Sequence, residues 1–270
     1  MTGFSTTYSP VMNVMVSAVR KAARNLKRDF GEVENLQVSE KGPGDFVTQA
    51  DLRTEKTLID ELRKARPHYS IVSEEAGHLD GSDKTHRFII DPVDGTTNFI
   101  HAIPHFAISV ALEREGQLAA GVIYNPVTDE LFIAEKGFGA FLNNRRLRVS
   151  ARRDMRQAVF ATGIPFGVKE GQDRFARELT RLMPKVAGIR RFGSAALDLA
   201  YVAAGRFDGF WESGLGSWDM AAGIVLVREA GGLVTDLAGG QGMLAAGNVV
   251  AANPHLMATL RDEVTAAGKA

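Results

Sequence analysis

The segment Asp91-Pro92-Val93-Asp94-Gly95-Thr96-Thr97-Asn98 sets two carboxylates three residues apart, directly after the uncharged run Phe88-Ile89-Ile90. Acids leaving a buried strand repel one another in a low-dielectric cleft, and a divalent cation relieves that repulsion. Pro92 stiffens the segment and Gly95 permits a positive φ. Thr96 and Thr97 place hydroxyls beside consecutive backbone N–H groups, an arrangement suited to cradling a phosphate. A plain Asp-Pro turn closed by side-chain hydrogen bonds is the alternative, and it explains Asp91-Pro92 better than it explains the whole run.

Further acids stand where strands end or helices begin. Ser73-Glu74-Glu75-Ala76-Gly77 follows the apolar pair Ile71-Val72. Neighbours on an extended chain face opposite ways, so one of Glu74 and Glu75 is expected to enter a cleft. In a helix expected over residues 48–65, Leu52, Leu58, Ile59 and Leu62 mark an apolar arc that also contains Asp51 and Glu55. Acids on a buried face need a partner, although Asp51 also fits a first-turn acid that complements the helix dipole. The same two readings apply to Asp219 in Ser217-Trp218-Asp219, which opens a helix ended by Gly231-Gly232. Strand ends and helix starts are where α/β architectures assemble their sites. A ligand set made only of oxygens selects a hard ion, which favours Mg²⁺ over Zn²⁺ and leaves Mn²⁺ open. His101 and His105 flank Pro104, where turn or packing roles are favoured over substrate contact.

The elements that position these residues follow from periodicity. Pro10 after Ser9 starts a helix in which Val11, Met15, Ala18, Val19, Ala22, Leu26 and Phe30 recur at helical spacing, ending near Gly31. Residues 87–90 read as a strand running into an acidic turn over 91–95, and 106–112 and 118–124 read as further strands of a hairpin sheet that meanders to about residue 148. Beyond it, strands near 158–162, 207–212, 233–236 and 248–251 alternate with helices near 173–182, 194–204 and 219–230 and a last one from about His255, an α/β rhythm. Two tightly packed lobes, 1–148 and 149–270, are expected, with the cleft between them and most metal ligands on the first. The chain has 270 residues, 45% hydrophobic and 24% charged, enough to bury a large core. Its 32 basic and 32 acidic side chains cancel, which argues against direct nucleic-acid or anionic-membrane binding through overall charge. The absence of cysteine excludes disulfides, thiolate nucleophiles and cysteine metal sites. No apolar run approaches the roughly 20 residues of a membrane span, and residues 1–10 carry no apolar signal segment, so a cytoplasmic location is expected.

Taken together, these residues resemble the inositol monophosphatase family, in particular its bacterial SuhB-type branch, from the first helix to the last strand. The most specific parts are the run from Asp91 to Phe99, Trp218-Asp219 with Glu229-Ala230-Gly231-Gly232, and Gly193-Ser194-Ala195-Ala196-Leu197-Asp198-Leu199. The resemblance implies a layered αβαβα sandwich, a homodimer, hydrolysis of phosphate monoesters, inositol 1-phosphate first among them, and inhibition by Li⁺. It implies two or three Mg²⁺ ions: one on Glu74, Asp91 and the Val93 carbonyl, one on Asp91, Asp94 and Asp219, and a weaker third leaning on Glu74. Gly95 and Thr96 would bind phosphate through backbone amides, and Thr96 and Asp51 would position the attacking water, so that Asp51, Glu74 and Thr96 form the catalytic set. Asp94, Ala195 and Glu212 match positions that contact inositol hydroxyls. Lys41 matches a basic position, although its spacing to Asp51 is one residue shorter than in animal members, and the loop between Glu75 and Asp91 is shorter too.

Histidinol phosphate, fructose 1,6-bisphosphate and 3′-phosphoadenosine 5′-phosphate are the competing substrates. Glu212, seven residues before Asp219, favours a neutral polyol over an ester carrying a second phosphate. A different possibility is a SuhB-like factor that binds transcription-complex proteins and whose catalysis is incidental, using Arg190-Arg191 or the basic residues Arg20, Lys21, Arg24, Lys27 and Arg28 of the first helix. Solvated helix faces are the simpler explanation of those charges.

Overall fold

The computed structural model describes residues 8–32, 38–42, 45–165 and 169–268. Five layers follow one another. The helices Pro10–Phe30 and Gln49–Ala65 cover one face of an eight-stranded sheet, and the helices Ala195–Ala203 and Ser217–Glu229 cover its other face. That second helix pair is shared with a five-stranded sheet, whose far side is closed by Lys169–Leu182 and Met257–Ala267. The result is the expected αβαβα sandwich, with one hydrophobic core around the central helix pair and one under each outer helix pair. None of the described helices is long and apolar enough to cross a membrane.

Alternation along the strands builds these cores. In the strand Asp83–Asp94, Phe88 and Ile90 join the core under the first helix pair, while Ile89 joins the core under the second. A strand covered on both faces reads as a continuous apolar run. The helix Pro10–Phe30 starts as read: Pro10 occupies its first turn and the Ser9 side chain accepts a hydrogen bond from Met12 N. Its residues Arg20, Lys21, Arg24, Lys27 and Arg28 are exposed, and Lys21 pairs with Glu61, as a solvated face requires.

Four features differ from the sequence reading. The first sheet is not only hairpins: Tyr69–Ser73 pairs in parallel with Asp83–Asp94, because the intervening strand Gly77–Leu79 folds back onto the outer edge of Tyr69–Ser73. The acidic turn over 91–95 is instead the end of the strand, which continues to Asp94 through an irregularity in register between Asp91 and Asp94 and turns only at Gly95. The chain then winds directly into a short helix, Thr96–Ile100. Leu52 does not belong to the apolar arc of its helix, being 42% exposed. The buried stripe is Asp51, Glu55, Leu58 and Leu62, whose 4-3-4 spacing keeps one face of a helix toward the sheet and carries both acids inward with it.

Candidate active site

Two chain segments bring three acids together at one end of the eight-stranded sheet. Asp91 and Asp94 come from the end of the strand Asp83–Asp94, and Asp219 from the first turn of the helix Ser217–Glu229. One carboxylate oxygen from each lies within 4.8 Å of the others. Each acid is anchored through one oxygen: Asp91 Oδ1 accepts from Val93 N at 2.9 Å, Asp94 Oδ2 from Ala196 N at 2.8 Å and from the Ser194 hydroxyl, and Asp219 Oδ2 from Gly216 N at 2.7 Å. Crowding like charges in a buried place pushes all three up: Asp94 to about 6, Asp219 to about 8 and Asp91 well above the usual carboxylate range, with burial the larger cause and the neighbouring acids, Glu74 among them, the second. Three oxygen donors that all resist ionisation together fit a hard divalent cation.

The remaining expected residues are placed around this cluster. Glu74 follows the strand Tyr69–Ser73, and its backbone N–H donates to Ile90 O. It lines a cleft of about 270 Å³ together with Asp91, Val93, Asp94, Gly95, Thr96, Thr97, Ala195, Glu212 and Asp219. Asp51 sits behind that surface rather than on it. It is wholly buried at the start of the helix Gln49–Ala65, where its Oδ2 accepts from Thr48 N at 3.0 Å in a reciprocal cap, and its Oδ1 accepts from Thr96 Oγ1 at 3.0 Å. The cap and a buried partner, the cleft residue Thr96, are both present, so the two readings of Asp51 are not exclusive. Burial, reinforced by the charge of Glu75, raises its carboxyl to about 6 against the hydrogen bonds from Thr48 and Thr96. The Thr96 hydroxyl also lies 3.0 Å from the Val93 carbonyl.

Gly95 is the residue the turn demands. Its φ of 99° lies in the left-handed region, and a Cβ there would come within 3.0 Å of Gly193 O and 3.1 Å of His105 O. Asn98 joins the same two loops by donating to His105 O and Phe192 O, each at 2.7 Å. His105 packs between Phe192 and Tyr201 and is lowered to about 4 by burial, and neither it nor His101 lines the cleft. The Lys41 side chain lies outside the described residues.

Glu212, on the strand Gly209–Ser213, faces the cluster from the second sheet. Burial and the charges of Asp219 and Asp94 raise it to about 8, with Arg191 opposing them. The nearby Arg206 pairs with Glu130 and not with Glu212.

Several contributors were not assigned a place from the sequence. Glu55 shapes the turn that carries Glu74: it accepts from the Ser73 hydroxyl, from Glu75 N at 3.1 Å and from Ala76 N at 2.9 Å. An acid on the buried stripe was the available signal for it. Arg191, read as a surface charge, is exposed and also borders the cleft. Asp198 is buried with an unpartnered Oδ1 and is held well above its usual range by burial, then by Glu212 and Asp94.

The family model described as the inositol monophosphatase family matches residues 7–268. An inositol-1-monophosphatase of Rhizobium meliloti (strain 1021) is 57% identical over 256 residues, covering 95% of this chain and 96% of that protein. The Nus factor SuhB of Escherichia coli (strain K12) is 46% identical over 264 residues, covering 96% and 99%. The crystal structure of extragenic suppressor protein suhB from Bartonella henselae superposes with a TM-score of 0.92 at 57% identity, covering 95% of this chain and 98% of that one.

Proposed function

The chain belongs to the inositol monophosphatase family, and from that premise we propose that it is a Mg²⁺-dependent hydrolase of phosphate monoesters whose preferred substrate is an inositol monophosphate. The observation that carries this reading is the meeting of Asp91, Asp94 and Asp219 beside the backbone amides of Gly95 and Thr96 in one cleft. Asp91, Asp94, Asp219, Glu74 and the Val93 carbonyl would hold the metal. Bound there, Mg²⁺ supplies Lewis acidity, which acidifies water and neutralises charge on the phosphoryl group.

The protein's own groups supply the rest. The N–H groups of Gly95 and Thr96 open the short helix, where the first donors have no partner within the helix, and they are available to phosphate oxygens. Thr96 Oγ1 donates to Asp51 Oδ1 or to Val93 O, which leaves its lone pairs toward the cleft to accept a proton from water. A proton passed through Thr96 comes to rest on Asp51 Oδ1, whose elevated affinity for protons suits it to receive one near neutrality. Ala195 and Glu212 stand on the side where the leaving alcohol would lie, Glu212 as a hydrogen-bond acceptor for its hydroxyls.

A phosphate-release panel over inositol 1-phosphate, histidinol phosphate, fructose 1,6-bisphosphate and 3′-phosphoadenosine 5′-phosphate tests the assignment. Inositol 1-phosphate should have the highest kcat/KM, and release should require Mg²⁺. Activity that survives complete chelation would overturn the metal mechanism. Thr96→Ala should lower kcat more than it raises KM, since a hydroxyl that orients water matters most in the transition state. A change confined to KM would reduce Thr96 to a phosphate contact.

A second reading rests on the 46% identity with a protein named a Nus factor: the chain also binds transcription-complex proteins.

A further inference from the structure

We propose that Gly163 is a positioning residue for Glu212 and, through it, a determinant of which leaving alcohol the cleft accepts; this rests on Glu212 being the acceptor for that alcohol. The strands Val159–Thr162 and Gly209–Ser213 run in parallel, with Phe160 beside Gly209, Ala161 beside Phe210 and Thr162 beside Trp211. One step further along the same register, Gly163 comes beside Glu212 where both enter the cleft.

The carboxyl group of Glu212 lies across the place where a side chain on Gly163 would begin. The three atoms nearest to a Cβ built there are Glu212 Oε1, Cδ and Oε2, all in overlap with it. The backbone of Gly163 is outside the left-handed region, so no positive φ demands a glycine there. Its lack of a side chain therefore answers to Glu212 and not to the turn. No ion pair or hydrogen bond among the described residues fixes that carboxyl, and Arg191 acts on it only at longer range. Its place is set by strand register and by the empty volume over Gly163. Because the overlapping atoms are the far end of a flexible side chain, a methyl group at residue 163 displaces the carboxyl and leaves the strands where they are.

The test is a double-mutant cycle in the full chain with Mg²⁺ present, using inositol 1-phosphate and fructose 1,6-bisphosphate as probes. Gly163→Ala should lower kcat/KM for inositol 1-phosphate about 10-fold, chiefly through KM, the scale of a misplaced hydrogen bond. It should shift the ratio of the two substrates in the same direction as Glu212→Ala, with the melting temperature unchanged. In the Glu212→Ala background, Gly163→Ala should change either rate by no more than about 2-fold, because the group it acts through is gone. Equal losses in both backgrounds, or no loss with Glu212 in place, would overturn the proposal. If Glu212→Ala alone leaves the substrate ratio unchanged, the reading of Glu212 fails and this inference falls with it. If Glu212→Ala shifts the ratio and Gly163→Ala does not, the inference alone falls.

Discussion

An Asp94→Asn variant should fold normally and lose at least about 10²-fold in turnover at saturating Mg²⁺, the scale of losing one preorganised charge from a catalytic centre. The hydrogen bonds around Asp94 make this substitution more damaging than the loss of one charge alone. Two donors, the Ser194 hydroxyl and Ala196 N, hold Oδ2 in place. An Asn side chain that keeps its carbonyl oxygen toward those donors turns its NH₂ group the other way, presenting a donor where a cation needs an acceptor. Asp219→Asn should behave alike, because Gly216 N binds Asp219 Oδ2 in the same way. Near wild-type turnover in both variants, measured beside unchanged circular dichroism, would sink the site assignment. The Asp94→Asn protein also addresses the second reading: transcription factors that co-purify with it as well as with wild type would separate binding from catalysis, whereas their absence from both would leave the binding reading without support.

Removing divalent ions should abolish hydrolysis and also change how stability responds to pH. The carboxyls of Asp51 and Asp94 are raised from 3.8 to about 6, those of Asp219 and Glu212 from 3.8 and 4.5 to about 8, and that of Asp91 well above 3.8. A carboxyl with a raised folded-state pKa binds more protons folded than unfolded over the interval between the two values, so stability falls as pH rises through it. The metal-free protein should therefore be most stable at the acid end of this range and lose stability as pH climbs from about 4 toward about 8. A cation replaces the protons as the source of compensating charge. The gain in melting temperature on adding Mg²⁺ should then be larger at about pH 8 than at about pH 5.5. A gain independent of pH, or metal-free stability that rises toward pH 8, would contradict the crowding of acids on which the site rests.

What the sequence determined by itself is what short-range patterns can encode. The first helix and its cap follow from Ser9-Pro10 and a period near 3.6, and the doubly buried strand from the uncharged run Phe88-Ile89-Ile90. The turn at Gly95 follows from a residue type able to take a positive φ. The acids of the cleft were visible because each stands at the end of a strand or the start of a helix. Roles for Val93, Ala195 and Glu212 came from resemblance to a family, since nothing local distinguishes a carbonyl ligand or a small substrate-facing residue.

The tertiary structure alone decided which of these groups meet. Asp94 is held by Ser194 and Ala196 across 100 and 102 residues of chain, and no periodicity reports a contact of that range. The buried face of the second helix excludes Leu52 because the sheet beneath it, and not the helix's own apolar count, selects the stripe that turns inward, taking Asp51 and Glu55 with it. The parallel pairing of Tyr69–Ser73 depends on where the edge strand Gly77–Leu79 finds a partner. The setting of Glu212 against Gly163 depends on the register between strands nearly fifty residues apart. In each case a side chain's position depends on backbone far away in the sequence, and that neighbour exists only once the layers have packed.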